Sequence, residues 1–487
     1  MGTFPAYILL EIFSSYMDHA RTDEWYRLAQ VCQRWRYVVF GSPRRLNLRL
    51  RCTNTTPVRD MLDIWPTFPL EIRSPSRPWD HDSGNIITAL RYKDRIVDIS
   101  FTNVPSGIWE ELVAAMQEPL PALANLRLWS SFDLSGSSSQ MKPLPDSFLG
   151  VSAPSLQSLC LNRVPYPALP QFLSSACDLV DLKVLNIPNS WRILPEDLVP
   201  SLSSLTRLTF LGLGFSSDFR PGQVSRRSPD KKRTVLPSLT RFKFYGDMEY
   251  SEDLVARIDA PRLREVWATF FKPTISADIS QLAQFICQAD NAPLLNQADI
   301  IISDVTGDEV DVCLNAGTEV DGQLGASRAW YKFIISCAGR WDGHISTLAQ
   351  VCASSSFPSS SLPLSTLEHL TISGYRSRWP EWEDRWLEFL PAFTAVKNLY
   401  LCEYVAPRLL PVLKGVTGVR IAEVLPALQN LFLEEYEPSN WSKRLQEAVQ
   451  QFTTVRRLSG RPVAVHEWDR WGGGPEYWRK KSRPNYL

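Results

Sequence analysis

Long apolar runs are missing from this sequence. No stretch of about 18 uncharged apolar residues occurs, which argues against a membrane-spanning helix. The N-terminus also lacks the basic and then apolar pattern of a secretory signal. A net charge is absent as well, because 52 Lys and Arg residues balance 52 Asp and Glu residues, so no global field attracts nucleic acid or anionic membranes. We therefore expect a cytoplasmic or nuclear protein with no membrane partner and no nucleic-acid partner.

Histidine is scarce and cysteine is scattered. The five histidines lie far apart in the sequence, and the nine cysteines form no Cys-x-x-Cys pair. This distribution predicts neither a metal site nor a disulfide framework. Most cysteines are expected to be small buried side chains.

The sequence also lacks the familiar catalytic motifs. It contains no P-loop, no Gly-x-Gly-x-x-Gly after a strand, no His-Glu-x-x-His and no Gly-x-Ser-x-Gly. Gly472-Gly473-Gly474 lacks the Lys and Ser or Thr of a phosphate loop and leads into the basic tail Arg479-Lys480-Lys481. We therefore predict a protein without catalytic residues or a cofactor, and so not an enzyme. A hydrolase would need carboxylates converging on a cleft, a pattern that is not apparent here.

What the sequence does contain is a repeat. The pattern Leu-x-x-Leu-x-Leu, with other apolar residues allowed, recurs along most of the chain. Clear copies are LANLRL from Leu123, LQSLCL from Leu156, LKVLNI from Leu182, LTRLTF from Leu205, LTRFKF from Leu239, LEHLTI from Leu367, VKNLYL from Val396 and LQNLFL from Leu428. Weaker copies start at Ile96, Leu263, Leu295 and Trp330. Such repeats, at spacings of about 20 to 29 residues, are typical of leucine-rich-repeat solenoids, although the spacing here is irregular.

Proline marks the start of several repeats and predicts a turn into the strand, as in Leu120-Pro121-Ala122-Leu123. Each unit is interpreted as a short strand with inward leucines, followed by a helix or loop that returns to the next strand. The predicted fold class is α/β, an irregular solenoid with parallel strands on the concave side and helices or loops on the convex side. The copies lack the Asn that the standard repeat carries three positions after its last Leu.

The N-terminal residues 4–45 have a different period. Ile8, Leu9, Ile12 and Phe13 follow Pro5 at helix spacing, so one helical face is apolar. A second block shows the same spacing and comprises Trp25, Leu28, Val31, Cys32 and Trp35. About forty residues cannot form a stable core alone, so these helices must pack on the downstream chain, on a partner, or on both.

Two runs of this N-terminal region resemble the F-box: Phe4-Pro5-Ala6-Tyr7-Ile8-Leu9-Leu10-Glu11-Ile12-Phe13 and Val31-Cys32-Gln33-Arg34-Trp35-Arg36. The family pattern begins with Leu, where this sequence has Phe4. Residues 41–66 and 393–401 are similar to segments of fungal, basidiomycete-type F-box proteins with C-terminal leucine-rich repeats. The resemblance implies an F-box at 1–45, a connecting and capping segment at 46–90, a leucine-rich-repeat solenoid at 91–440, and a C-terminal cap with a basic tail at 441–487.

The resemblance also implies a function. F-box proteins of this kind dock on the Skp-type adaptor of a cullin-based SCF ubiquitin ligase, while their repeats hold a protein substrate and catalysis lies in other subunits. Carried over by motif, the adaptor-facing surface or its immediate support comprises Pro5, Ile8, Leu9, Ile12, Phe13, Val31, Cys32 and Trp35.

Strand residues between the inward leucines face the opposite side, which solenoids use for recognition. This geometry predicts a row of aromatic and charged candidates for substrate binding: Arg127, Trp129, Arg241, Lys243, Tyr245, Trp267, Tyr400 and Glu434. For any single member, a solvated strand position is the alternative.

A second class of function stays open at this point. The chain would then be a leucine-rich-repeat scaffold or ligand-sensing protein without a link to ubiquitin, and the N-terminal helices would only cap the array. Failure to bind the adaptor would favour this alternative.

Overall fold

The computed structural model describes residues 4–19, 25–43, 45–54, 62, 68–74, 79, 83–130, 142–215, 233–271, 280–287, 296–304, 309–320, 323–338, 366–375, 386–415, 423–434 and 443–468. The chain divides into two compact units, Met1–Leu208 and Thr209–Leu487. Both are mixed α/β, with strands that pair mostly in parallel. The predicted basic tail lies outside the described residues.

Unit 1 begins with three helices in the region where the apolar spacing predicts two helical blocks, because the second block is divided at Cys32. They are α1 (Ala6–His19), α2 (Trp25–Val31) and α3 (Gln33–Gly41). Cys32 separates α2 from α3 in an extended conformation, and its Sγ accepts a hydrogen bond from the Trp35 amide at 3.4 Å. This contact satisfies one of the amides that a helix N-terminus leaves without an intrahelical acceptor.

Six strands of unit 1 then pair in parallel, each with the next along the chain. They are β1 (Leu50–Cys52), β2 (Leu70–Arg73), β3 (Ile96–Thr102), β4 (Asn125–Trp129), β5 (Ser158–Asn162) and β6 (Asp181–Ile187). The helices that connect or follow them are α4 (Gly84–Leu90), α5 (Ser106–Ala115), α6 (Leu169–Leu173) and α7 (Pro195–Leu202). Single helical turns lie at Lys93–Arg95, Phe148–Val151 and Asn189–Trp191.

The strands have an inner and an outer face. On β4, Leu126 and Leu128 are buried, whereas Arg127 and Trp129 are exposed. The face of the buried leucines is called the inner face below, and the opposite face is the outer face. Neighbouring strands pair so that their buried positions are aligned, for example Leu126 with Leu159 and Leu159 with Leu182. The inner face therefore forms a continuous apolar layer.

The proline-marked turns are confirmed. In each of them the amide of the first repeat leucine donates to the carbonyl three residues earlier, and proline occupies the second position, where its fixed φ suits a tight turn. The donor and acceptor pairs are Leu123 with Leu120, Leu156 with Ala153, Leu239 with Leu236, Leu263 with Ala260 and Leu428 with Leu425.

Unit 2 has a sheet in which the described strands are ordered β7, β9, β11, β14, β13, β12, β15, β16, β17 and β18. Their bounds are β7 (Phe210–Phe215), β9 (Arg241–Gly246), β11 (Glu265–Phe271), β12 (Gln297–Asp304), β13 (Glu309–Val320), β14 (Gln323–Ala338), β15 (His369–Tyr375), β16 (Asn398–Leu401), β17 (Asn430–Glu434) and β18 (Ala464–Trp468). A separate pair is formed by β8 (Thr234–Val235) and β10 (Ile258–Asp259). The helices are α8 (Met248–Ala256), α9 (Ser280–Cys287), α10 (Trp386–Phe389), α11 (Ala406–Gly415) and α12 (Lys443–Leu458), with a helical turn at Leu390–Ala392.

The expectation of parallel strands throughout is wrong at β13. This strand pairs antiparallel with β12 on one side and with β14 on the other, while β14 pairs in parallel with β11. The cause is that β13 and β14 follow each other with only Asp321 and Gly322 between them, and so short a connection permits only an antiparallel pair. A long hairpin therefore interrupts the parallel series.

The strand registers also correct three repeat frames. Leu182 pairs with Leu159, the second leucine of its repeat, so that repeat starts at Leu179. In the same way Leu211 pairs with Phe242, which moves the start from Leu205 to Leu208. Tyr331 pairs with Val266, so the repeat predicted from Trp330 begins two residues earlier. In the first two cases, leucines that recur every third residue fit two frames equally well, and only strand pairing distinguishes them.

Candidate functional site

The three N-terminal helices expose large apolar side chains. Their exposed fractions range from 40% to 81%, whereas most apolar residues of the unit are buried. The exposed residues are Phe4, Tyr7, Ile12, Tyr26, Val31 and Tyr37. Exposed apolar side chains are normal when single, but such a concentration in one short region is typical of an interaction surface.

The predicted adaptor-binding residues divide into two groups. Pro5, Ile12, Val31 and Cys32 are exposed, and Ile8 and Trp35 are half-buried. Leu9 and Phe13, in contrast, are buried, with 4% and 0% exposure. The Phe13 ring packs on the Trp35 ring with centroids 4.7 Å apart, so these residues support the surface instead of forming it. Two polar contacts also join α1 to the later residues: Arg34 donates to the Phe4 carbonyl, and Arg45 pairs with Glu11.

The helices are attached to the first strands through an aromatic cluster. The Trp25 ring lies 5.4 Å from the Phe68 ring and 6.1 Å from the Phe40 ring, and Phe40 and Phe68 lie 5.8 Å apart. Trp25 Nε1 also donates to the Arg49 carbonyl at 2.9 Å. The helical segment thus has its own attachment to the sheet, which leaves its exposed apolar residues available for a partner.

On the outer face of unit 1, strand pairing assembles residues from distant repeats into rows. One row carries charged and polar residues: Glu71, Asp98, Asn125, Ser158 and Asp181. The adjacent row alternates cations with small side chains: Arg73, Ser100, Arg127, Cys160 and Lys183. We call this second row the cationic row.

The acidic side chains beside the cationic row are already paired. Glu71 has a side-chain exposure of 1% and contacts Arg73 and, at 3.3 Å, Arg51. Lys183 pairs with Asp181 at 2.7 Å. The Asp98 carboxylate lies 3.7 Å from Arg49, and burial followed by the Glu71 charge raises its pKa.

Arg127 and Trp129 stand out on this face. Both are exposed on β4, and Trp129 keeps 39% of its surface accessible. Cys160 beside Arg127 adds no negative charge, because burial raises the pKa of its thiol despite the opposing effect of Arg127. These two predicted residues therefore present a cation and an aromatic ring together.

Unit 2 brings together four of the predicted residues on β9 and β11. Lys243 pairs in register with Trp267, and its Nζ lies 3.2 Å from the centroid of the Trp267 ring. Arg241 lies over the Phe210 ring at 5.0 Å. Tyr245 is half-buried, and burial raises its pKa. The cations here are already engaged with aromatic rings.

Farther along unit 2, the outer face carries a stacked ladder, defined here as His369, Tyr400, Phe432 and His466. The Tyr400 and Phe432 rings stack at 4.4 Å and 11°, and Phe432 stacks on His466 at 4.9 Å. A parallel chain of hydrogen bonds links the same strands: Asn430 donates to Asn398 at 2.8 Å, His466 contacts Asn430 at 3.2 Å, and Asn398 contacts His369 at 3.3 Å.

The two remaining predicted residues are less available than the sequence suggests. Tyr400 is on the outer face but only 4% exposed, because neighbouring rings cover it. Glu434 is half-buried, and its carboxylate accepts a hydrogen bond from the Glu403 amide at 3.2 Å.

Sequence reasoning missed Arg73, Lys183 and the ladder residues other than Tyr400. Arg73 and Lys183 occupy the same alternating position as Arg127, and correct repeat frames would have found them.

Among the residues that the structure describes, no three His, Cys, Asp or Glu side chains are grouped so as to hold a metal ion. No helix in the described part of the chain is long and apolar enough to span a bilayer. No family model matches the chain, and no curated protein matches it.

Proposed function

We propose that this chain is the substrate-recognition subunit of an SCF-type ubiquitin ligase. Its N-terminal helices dock on the Skp-type adaptor, its leucine-rich repeats form a solenoid that binds a protein substrate, and the ligase's other subunits perform the chemistry. The observation that carries the proposal is the set of exposed apolar residues on helices that are already attached to the sheet through Trp25, Phe40 and Phe68.

The physical argument concerns desolvation. A helical cap without a partner is expected to bury its large apolar side chains within its own unit, and Leu9 and Phe13 are buried in this way. Ile12 and Val31 remain 46% and 60% exposed, so each leaves apolar surface that a partner can remove from water. Their positions match the apolar positions of the F-box pattern, which adds the resemblance to the surface argument.

The test measures binding of the full chain to a purified Skp-type adaptor by calorimetry. Ile12→Asp and Val31→Asp should each raise the dissociation constant at least about thirtyfold, because a charge would be buried in the contact. Leu194→Asp is the matched control: Leu194 is 44% exposed in the same unit and precedes α7, outside the N-terminal helices, so its variant should bind like the wild type. Leu9→Asp is unsuitable alone, since burial of that side chain makes unfolding the expected result.

Absence of adaptor binding by the folded full chain would overturn the proposal. The alternative would then stand, namely a repeat scaffold whose N-terminal helices only cap the array. Equal weakening in the Leu194→Asp variant would also count against a specific contact.

A further inference from the structure

The cationic row differs in composition from the rest of the described outer face. It places Arg73, Arg127 and Lys183 on alternate strands, with the small side chains of Ser100 and Cys160 between them. Adjacent strands lie about 4.8 Å apart, so successive cations are about 10 Å apart.

The charges of this face do not cancel at Arg127. Arg73 shares the buried Glu71 carboxylate with Arg51, and Lys183 is paired with Asp181. Asp98 forms an ion pair with Arg49 at 3.7 Å. Arg127 is only one of several cations that act on the Asp98 carboxylate. Arg127 is exposed, and it forms no ion pair within the described residues, so its guanidinium can donate hydrogen bonds to the carboxylate of a partner.

Trp129 lies two residues farther along the same outer face and is exposed. Arginine and tryptophan are the residues most often found as energetic centres of protein interfaces. An oxyanion ligand alone would use Arg127 and leave the ring unused. A protein segment can use both, by placing a carboxylate on Arg127 and an apolar side chain on Trp129.

We propose that the outer face of β2–β6 binds a protein segment rich in Asp or Glu that carries an apolar side chain next to its acidic residues. The complementary charge is supplied by Arg127, the exposed member of the cationic row, and the apolar contact by Trp129. The inference rests on the proposed function only in assigning this segment to the substrate. Binding of the segment itself does not require the adaptor.

The test uses fluorescence anisotropy with the full chain and a labelled decapeptide of glutamates around one phenylalanine. The wild type should bind this peptide and should not bind the same peptide with lysine in place of glutamate. Arg127→Ala and Trp129→Ala should each weaken binding about tenfold, and Arg127→Glu should abolish it. Arg207→Ala is the matched control, because Arg207 is an exposed arginine of the same unit outside these strands and pairs with Asp178.

Three results would overturn the inference. They are no binding of the acidic peptide by the wild type, equal binding of the lysine peptide, and equal weakening in the Arg207→Ala variant, which would indicate unspecific attraction. Adaptor binding is measured on the same variants and should be unchanged in all of them. Loss of peptide binding with intact adaptor binding, or the reverse, separates this inference from the proposed function.

Discussion

The outer face of β4 in unit 1 and the outer faces of β15 and β16 in unit 2 are built from the same repeat positions and differ in exposure. In unit 1, Arg127 and Trp129 extend from β4 and stay exposed. In unit 2, Thr371 and Tyr400 occupy outer positions on β15 and β16, yet each is only about 5% exposed. Identical placement in the repeat therefore does not define a binding residue.

The difference follows from the chemistry of neighbouring side chains. Parallel strands repeat at about 4.8 Å, which is close to the distance at which planar rings stack. Aromatic residues on adjacent strands therefore pack on one another, as Tyr400 and Phe432 do at 4.4 Å. Cations on alternate strands cannot satisfy one another; Arg73 and Lys183 pair with Glu71 and Asp181, whereas Arg127 forms no ion pair within the described residues and stays exposed.

The largest expected effect comes from disrupting the stacked ladder of unit 2. Tyr400→Ala should lower the free energy of unfolding by about 3 kcal/mol, because it removes a buried ring from the stacked ladder. Urea denaturation of the full chain measures the change. Tyr404→Ala is the control, since Tyr404 is 49% exposed and should cost about 0.5 kcal/mol or less. Similar losses in both variants would contradict the closed ladder.

The next effect uses pH to compare the inner and outer faces of unit 1. Burial raises the pKa of Cys52 on the inner face from 9.0 to about 11. The folded state therefore holds the thiol proton more tightly than the unfolded state. The resulting stability is fully present below pH 9 and is lost as the pH rises through about 11, a loss of about 2 to 3 kcal/mol.

Stability curves of variants over this pH range provide the measurement. Cys52→Ala should flatten the decline between pH 9 and 11 relative to the wild type. Cys160→Ala should flatten it less, because Arg127 and Lys183 oppose the effect of burial at that outer-face thiol. Parallel curves for the wild type and Cys52→Ala would show that this thiol does not contribute.

A smaller effect tests the hydrogen-bond chain of unit 2. Asn430→Ala removes the donor to Asn398 and the acceptor facing His466, and should cost about 1 kcal/mol in unfolding free energy. Gln429→Ala, at an exposed neighbouring position, serves as the control in the same urea titration. A neutral result for Asn430→Ala would mean that water replaces the lost contacts without cost.

The smallest expected stability effect concerns the exposed Trp129 in unit 1, for comparison with the buried Tyr400 in unit 2. Trp129→Ala should change the unfolding free energy by only about 0.5 kcal/mol, because the ring is exposed and has no stacked partner among the described rings. The same urea titration measures it against Tyr400→Ala. A loss as large as that of Tyr400→Ala would remove the distinction between an open and a closed face.

Much of the local structure was predictable from sequence. The apolar spacing identified the helical region at 4–41 but not its break at Cys32, and the proline-marked leucines located turns and strands, because those patterns depend on neighbouring residues alone. Frames were predicted less well: Leu182 and Leu205 each lie three residues from the true starts, since repeated leucines make both frames equally apolar. The candidate surface was predicted in outline, with Arg127 and Trp129 exposed but Tyr400 buried.

The sequence by itself determined where the N-terminal helices, the proline-marked turns and the repeat strands form, because helix periodicity, proline geometry and leucine alternation are local properties. Only the tertiary structure decided that one repeat starts at Leu179, that β13 forms an antiparallel hairpin, and which outer-face side chains are exposed. These features depend on pairing between residues far apart in the chain. Whether Arg127 is exposed or Tyr400 is covered depends on side chains from other repeats, and the spacing within one repeat carries no information about them.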